Sequence, residues 1–283
     1  MAIIQRQLAL ASARTPVLDT GGSDTEAVLF LHGNPGCGRD WVPLMELVAP
    51  FCRAIAPDMP GFGQAAKPQD FDYTVSGFAN HIKALVNFLG LSRVHLVLHD
   101  FGVPWGLTWA AAEPLKVASL TLLNVGVLTG YRWHYLARIW RTPVIGEIFQ
   151  AMTSRLAFHL FLKHGNPRGL PRGFIDSMYD NYDKATRQAV LKLYRATNDL
   201  GAEAQKLADA LHPLDLDTLV LWGKADPYLP HRFAEQQRQV FPRAEIIYLE
   251  DSGHWPYVDN PEAVVAAVIP FLSKCVAKDS ARQ

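Results

Sequence analysis

Val94-His95-Leu96-Val97-Leu98-His99-Asp100-Phe101-Gly102-Val103-Pro104-Trp105-Gly106-Leu107 is the stretch on which the fold turns. Val94 to Leu98 is a short apolar run of the kind that forms a buried strand, and Gly102 to Ala112 resumes as a helix, with Pro114 just beyond it. Asp100 stands at the turn between them. In such a strand-turn-helix a sharp bend lifts one side chain above the sheet. The N–H of the next residue points at negative charge developing there, and the helix adds its positive end. The residue at the bend is a carboxylate, ionised without help from a base and able to attack an sp³ carbon to give an alkyl ester. Taken alone, an Asp in this place reads as readily as a cap for the helix that follows.

Working outward, two further residues occupy strand ends. Leu219 to Trp222 is a strand followed by Gly223-Lys224-Ala225-Asp226-Pro227, and Glu245 to Leu249 is a strand followed by Asp251-Ser252-Gly253-His254-Trp255. Singly, Asp226 is a turn former before Pro and His254 a loop histidine. Carboxylate, carboxylate and His in that order, each past a strand, form the pattern of a nucleophile, an orienting acid and a base. The rest of the chain supplies the frame. Ala27 to Leu31 reads as a strand ending at His32-Gly33-Asn34-Pro35. Arg53 to Ala56 is another, stopped by Pro57-Asp58-Met59-Pro60-Gly61-Phe62-Gly63, and Val117 to Leu123 a third. Val75 to Leu89 carries apolar residues at helical spacing with Gly90 as its stop, and Pro261 to Phe271 is a closing helix. Strands alternating with helices indicate an α/β fold around a mostly parallel sheet.

The alternation stops between residues 128 and 212. This segment has helical periodicity, many aromatics and no strand pattern, and it is too long for a plain loop. The expected organisation is a core of residues 1–127 and 213–283, with residues 128–212 a helical cap over the sheet edge where ligands bind. Residues 278–283 are expected to fray.

Composition narrows the classes. The 283 residues are 49% hydrophobic and 19% charged, and Lys+Arg and Asp+Glu each total 27, so no overall field favours nucleic acid or an anionic membrane. The three cysteines, Cys37, Cys52 and Cys275, are scattered and odd in number, which suits a reducing compartment. No apolar run spans a bilayer, and Met1 to Arg14 lacks the basic cluster of a signal peptide. The expected location is the cytoplasm. The expected partners are a small-molecule substrate and water, with no nucleic acid and no membrane; a homodimer is the assembly the reading leaves room for. No cofactor and no metal are expected, because no His/Cys/Asp cluster has ligand spacing and Gly61-Phe62-Gly63 lacks the third glycine of a phosphate loop.

These motifs together resemble the Asp-nucleophile group of the α/β-hydrolases, which contains epoxide hydrolases and the haloalkane and haloacetate dehalogenases. The resemblance rests on His32-Gly33-Asn34-Pro35, Asp58-Met59-Pro60-Gly61-Phe62-Gly63, His99-Asp100-Phe101-Gly102, Gly223-Lys224-Ala225-Asp226 and Gly253-His254. It implies a mostly parallel eight-stranded sheet with helices on both faces and a helical lid. It also implies Asp100 as nucleophile, His254 as the base that activates water and Asp226 as its orienting acid. The N–H groups of Asn34 and Phe101 would form the oxyanion hole, and Pro35 is a candidate cis proline.

Two reactions divide the group. An epoxide opens to an alkoxide and needs a proton donor from the insertion. A halide leaves as an anion and needs N–H donors beside the nucleophile. Asn34 is where haloalkane dehalogenases place one such donor, but their Trp after the nucleophile is Phe101 here, and Trp105 is a turn further on. The haloacetate pattern, with two Arg after the nucleophile, is absent from Asp100-Phe101-Gly102-Val103-Pro104. For the epoxide, Leu193-Tyr194-Arg195 resembles the pair that carries a ring-opening tyrosine. His159 is the expected second donor, with Tyr131 and Tyr135 as substitutes. Packing roles compete with each of these readings. The expectation is a hydrolase opening a small, largely apolar epoxide through an ester on Asp100. Haloalkane dehalogenation is the alternative, and a non-catalytic ligand-binding protein the weaker one. His32 and His99 are expected to be structural or to support the site.

Overall fold

The computed structural model describes residues 2–22, 24–197 and 200–280. Its frame is one eight-stranded sheet in the order β1-β2-β4-β3-β5-β6-β7-β8. The strands are β1 (Ile4–Ala9), β2 (Arg14–Asp19), β3 (Glu26–Leu31), β4 (Arg53–Pro57), β5 (Arg93–His99), β6 (Val117–Leu123), β7 (Asp217–Gly223) and β8 (Glu245–Leu249). From β4 to β8 across the sheet every pairing is parallel, whereas β1 and β2 join antiparallel at one edge. The central parallel strands β3, β5 and β6 are buried on both faces, hence their near-continuous apolar sequences. The hairpin of β1 and β2 carries no such signal. Five of the six β1 residues are exposed, so the strand is polar and edge-like, and the sequence pattern passes over it.

The core helices are α1 (Val42–Val48), α2 (Val75–Phe88) and α3 (Gly102–Ala112) before the insertion. Thr74 Oγ1 accepts the Gly77 N–H and caps α2, whose Phe78, Ile82, Leu85 and Val86 are buried; Gly90, at φ 66°, ends it. The helix α3 runs against the sheet centre so closely that a Cβ at Gly102 would lie 2.4 Å from the Leu31 carbonyl oxygen. Trp105 is fully buried and stacked on Phe78 at 4.0 Å, so its ring serves the core, as expected from its place one turn past the bend.

Between β6 and β7 the described chain is helical: α4 (Tyr135–Arg141), α5 (Ile145–Met152), α6 (Arg155–Gly165), α7 (Arg172–Asp180), α8 (Lys184–Ala196) and α9 (Leu200–Leu211). After β7 come α10 (Arg232–Val240), α11 (Pro256–Asp259) and α12 (Pro261–Ser280). The last helix corrects two expectations. It passes through Pro270 instead of ending at Phe271, and it is helical to Ser280 where fraying is expected from residue 278; residues 281–283 of that expectation lie outside the described residues. Lys278 donates to Asp217 at 2.8 Å and holds this end against the start of β7.

The topology itself places a crevice. From β3 the chain moves outward to β4, then returns across β3 to β5 on the other side. The loops after β3 and β5 therefore leave the sheet in opposite directions, and the gap between them is where open α/β sheets hold ligands. Asn34 follows β3 and Asp100 follows β5.

Candidate active site

Asp100 sits at the bend between β5 and α3 with φ 50°, a left-handed conformation that a non-glycine residue adopts only under constraint. The constraint is the neighbouring turn. At Gly33 an added Cβ would come within 2.2 Å of Asp100 Oδ1 and 2.5 Å of the Phe101 nitrogen, so this position admits glycine alone. The next peptide, Asn34–Pro35, is cis. The Asn34 N–H donates to Asp100 Oδ1 at 2.6 Å. Phe101 immediately precedes α3, and its N–H is one of the first-turn donors that no helix carbonyl accepts.

The second carboxylate is bound very differently. Asp226 Oδ1 accepts the N–H groups of Tyr228 and Leu229 at 2.8 and 3.1 Å, and Oδ2 accepts Asn124 Nδ2 at 3.0 Å and His254 Nδ1 at 2.7 Å. Its lone pairs are occupied. Asp100 keeps acceptor capacity facing the cavity, with His254 Nε2 3.5 Å from its Oδ2, an ion-pair distance and not a tight hydrogen bond. The three residues expected together are therefore together, and their surroundings differ: the Asp226 carboxylate is saturated and the Asp100 carboxylate is open to the cavity.

Charge follows the same pattern. Burial pushes the Asp100 carboxyl upward, but the hydrogen bond and charge of His254, with the Asn34 N–H, hold it below the usual carboxylate value. Burial works against a protonated His254; the Asp226 charge and the hydrogen bonds to both carboxylates outweigh it and raise the imidazole to about 10. The charged imidazole is therefore the favoured form of His254 in the resting site.

The His254 loop is pinned at each backbone group. The Gly253 N–H donates to Asp259 Oδ2 at 2.6 Å, the His254 N–H to the Gly165 carbonyl at 2.9 Å and the Trp255 N–H to Asn166 Oδ1 at 2.9 Å. Two of these partners, Gly165 and Asn166, are the last residue of α6 and the one that follows it, so the helical layer grips the histidine loop directly. His99 Nε2 donates to the His254 carbonyl at 2.7 Å; burial lowers the His99 imidazole to about 3 and keeps it neutral. His32 is structural in the same sense, donating from Nδ1 to the Gly33 carbonyl and accepting the Met59 N–H at Nε2.

Above Asp100 lies a cavity of about 620 Å³. Its walls include Phe101, Trp133, His134, Tyr194, Tyr228 and Trp255. Tyr194 is buried, with its ring against Phe101 at 5.0 Å and Trp140 at 4.8 Å. Burial and then the Asp100 charge push its phenol well above 10, while the adjacent Asn34 side chain pulls the other way. The hydroxyl thus stays protonated beside the carboxylate. Neither polar atom of the Asn34 carboxamide has a hydrogen-bond partner at normal geometry, nor does the buried Trp133 Nε1.

His159 is a correction. It lies outside the cavity wall on a partly exposed face of α6, and its Nε2 is engaged by Asp176 at 3.0 Å. Tyr135 is likewise outside, whereas Tyr131 lines the cavity with its hydroxyl donated to the Tyr228 carbonyl. The histidine of the helical layer that does face the cavity is His134, which the sequence reading passed over. Its Nδ1 accepts the Ala137 N–H and caps α4, so the proton of the neutral ring is on Nε2. Burial lowers this imidazole to about 4. Asn124 was missed too, although a polar residue directly after β6 was a signal of the same kind as Asp100. It adopts φ 58° and joins Asp226, Gly223 and the Gly253 carbonyl. Asn166 had no signal, because its partner is 89 residues away.

Comparison with known proteins identifies the fold family. Residues 26–261 match the family described as the alpha/beta hydrolase fold. A cis-3-alkyl-4-alkyloxetan-2-one decarboxylase of Xanthomonas campestris is 27% identical over 91% of each chain. A haloalkane dehalogenase of Mesorhizobium japonicum is 28% identical over 93% of this chain and 92% of that protein. Among solved structures, a loop variant of the haloalkane dehalogenase DbeA from Bradyrhizobium elkanii superposes with a TM-score of 0.85 at 26% identity, covering 99% of both chains. The epoxide hydrolase CorEH gives 0.82 at 19% identity, covering 96% of this chain and 99% of that one, a likeness of fold.

Proposed function

The chain belongs to the alpha/beta hydrolase fold family, and on that premise we propose that it opens a largely apolar epoxide through an ester on Asp100. The observation that carries this reading is the protonated Tyr194 hydroxyl held in the same buried cavity as the under-coordinated Asp100 carboxylate. In the first step an Asp100 oxygen attacks a ring carbon and the carbon–oxygen bond breaks. The electron pair stays on oxygen, which takes the Tyr194 proton, giving a hydroxyalkyl ester of Asp100.

Esterification removes the Asp100 charge, one of the causes that hold His254 protonated. The imidazole then gives up its proton, which restores the Tyr194 phenol, and becomes a base. It takes a proton from water as the water oxygen adds to the ester carbonyl, and Asp226 stabilises the imidazolium that forms. The N–H groups of Asn34 and Phe101 face the resulting oxyanion. Collapse breaks the bond to the alkyl oxygen, which takes the hydroxyl proton of the newly formed carboxylic acid and leaves as a diol, with Asp100 again a carboxylate and His254 again protonated.

A second reading has its own observation. The unpartnered Asn34 amide and Trp133 Nε1 are buried donors at the cavity, as a departing halide requires, and Trp133 supplies an N–H that Phe101 lacks. Haloalkane dehalogenase relatives favour it. The oxetan-2-one decarboxylase adds a third strained or activated substrate, a four-membered lactone. One experiment separates the readings. His254→Gln protein is incubated with a terminal alkyl epoxide, a bromoalkane and a dialkyl β-lactone, and its intact mass is measured. The epoxide reading expects a stable adduct of the whole epoxide mass on Asp100. An adduct from the bromoalkane alone, with bromide released, transfers the function to dehalogenation. No adduct from any of them, with reversible occupancy only, leaves a binding protein.

A further inference from the structure

The outer surface of the helical layer carries an unusual concentration of apolar side chains. Val144, Ile145, Ile148, Met152, Leu156 and Leu160 are each between 54% and 75% exposed, and all fall within 17 residues of sequence on α5, the turn before it and α6. Ile145, Ile148 and Met152 recur at helical spacing on α5, and Leu156 and Leu160 do so on α6. The inner sides of the same helices are apolar as well. Phe149 and Phe161 lie 5.6 Å apart and line the cavity. A helix apolar on both sides is normally buried on both. Here the chain covers one side among the described residues.

Charge indicates what covers the other. The neutral total hides an asymmetry: residues 128–212 contain 12 Lys and Arg against 7 Asp and Glu, with the opposite excess in the rest of the chain. From Tyr135 to His164 the cations are Arg138, Arg141, Arg155 and Lys163, and the sole acid is Glu147, already paired with Arg195. Arg138 and Lys163 are exposed and make no ion pair among the described residues. We propose that the outer face of α5 and α6 docks on an anionic phospholipid surface. Its apolar side chains enter the boundary between headgroups and acyl chains, and Arg138 and Lys163 meet the phosphates.

A second copy of the chain suits this face less well. A two-fold interface sets the same patch against itself, and here it would oppose like charges. An anionic bilayer answers both features at once. It also sets the helices that wall the cavity against the phase in which apolar substrates dissolve, so a lipid-dissolved substrate would meet the protein at its cavity wall. The expectation of no membrane partner rested on the overall charge balance and the lack of a spanning segment, and neither speaks to a surface contact.

The test is sedimentation of the full chain with vesicles of phosphatidylcholine alone, or mixed with phosphatidylglycerol. Wild type is expected to pellet with the anionic vesicles about tenfold more than with the neutral ones at low salt, and less as salt rises. The triple variant Ile148→Asp, Met152→Asp, Leu156→Asp is expected to remain in the supernatant. None of the three side chains lines the cavity, so turnover of a water-soluble substrate checks that the variant is folded. The double variant Arg138→Glu, Lys163→Glu is expected to lose the anionic preference. The proposal is overturned if wild type stays in solution with both vesicles, if it binds both equally, or if the variants bind as wild type does. It is overturned as well if light scattering finds a wild-type dimer that the triple variant converts to monomer, which assigns the face to a second copy.

Discussion

The C-terminal edge of the sheet and the helical layer above it enclose the same cavity but are built by different means. At the sheet edge each functional side chain stands just past a strand and is fixed by backbone hydrogen bonds, as Asp226 is by Tyr228 and Leu229 and the His254 loop by Gly165 and Asn166. In the helical layer the side chains over Asp100 are placed by aromatic packing, Tyr194 against Phe101, Trp133 and Trp140. Hydrogen bonds to backbone fix position and direction together. Ring contacts fix position and leave the polar tip to whatever arrives. The edge thus suits the bond-making chemistry that members of the proposed group share, and the layer suits the choice of leaving group and substrate.

The sharpest way to break this division is Asp100→Asn. If the reaction depends on a carboxylate at the bend, turnover should fall about ten-thousand-fold or more with every substrate of the panel, measured as product release. Residual turnover near wild type would move the chemistry elsewhere. A substitution in the layer should behave selectively. Tyr194→Phe is expected to slow alkylation by an epoxide about 100-fold in single-turnover measurements and to leave a haloalkane unaffected. An equal loss with both substrates would make Tyr194 a packing residue.

Asn166→Ala tests where the two regions join. Loss of its bond to the Trp255 N–H should loosen the His254 loop and slow ester hydrolysis about tenfold, with alkylation of Asp100 nearly unchanged. Equal slowing of both phases would reduce Asn166 to a general structural role.

The histidines give the division a pH signature in stability. His254 has a folded pKa raised from the ordinary 6.5 to about 10, so its contribution is complete below pH 6.5 and is lost as pH rises toward 10. His81, His99 and His134 are lowered by burial to about 4, 3 and 4, so they destabilise the fold as pH falls below 6.5. The thermal midpoint should therefore decline on both sides of about pH 6.5. His254→Gln should flatten the alkaline side only, and an unchanged alkaline decline in that variant would contradict the assignment.

The smallest expected effect lies at Val144, before α5. It has φ 69° and ψ −51°, with the Ile145 N–H donated to the Pro143 carbonyl, a tight turn that strains a β-branched residue. Val144→Gly should stabilise the chain by about 1 kcal/mol, raising the midpoint by ~2 °C. A lower midpoint would mean that the valine side chain contributes more than its backbone costs.

Much of the sheet edge was legible in advance. Gly102–Ala112, Val117–Leu123 and Glu245–Leu249 occupy the bounds that their apolar patterns predict. Asp100, Asp226 and His254 stand at the strand ends where they were expected. The hairpin of β1 and β2 was not legible, because an edge strand with little buried surface carries no apolar alternation. In the helical layer Tyr194 reached the cavity and His159 did not. Both sit in segments with similar helical patterns, and nothing in the residues around His159 tells that its ring turns toward Asp176. His134 escaped notice because its role depends on capping a short helix whose position is set by its neighbours.

What the sequence by itself determined is therefore local: strands ending in turns, a carboxylate at a sharp bend, and an acid and a histidine after later strands. Those features are written in consecutive residues, because turn geometry and strand burial act over a few positions. The tertiary structure alone decided which carboxylate is saturated and which is open, and which histidine of the helical layer faces the cavity. Each of these depends on partners tens of residues apart, 102 positions in the case of Asn124 and Asp226, and such distances leave no periodic trace in a chain.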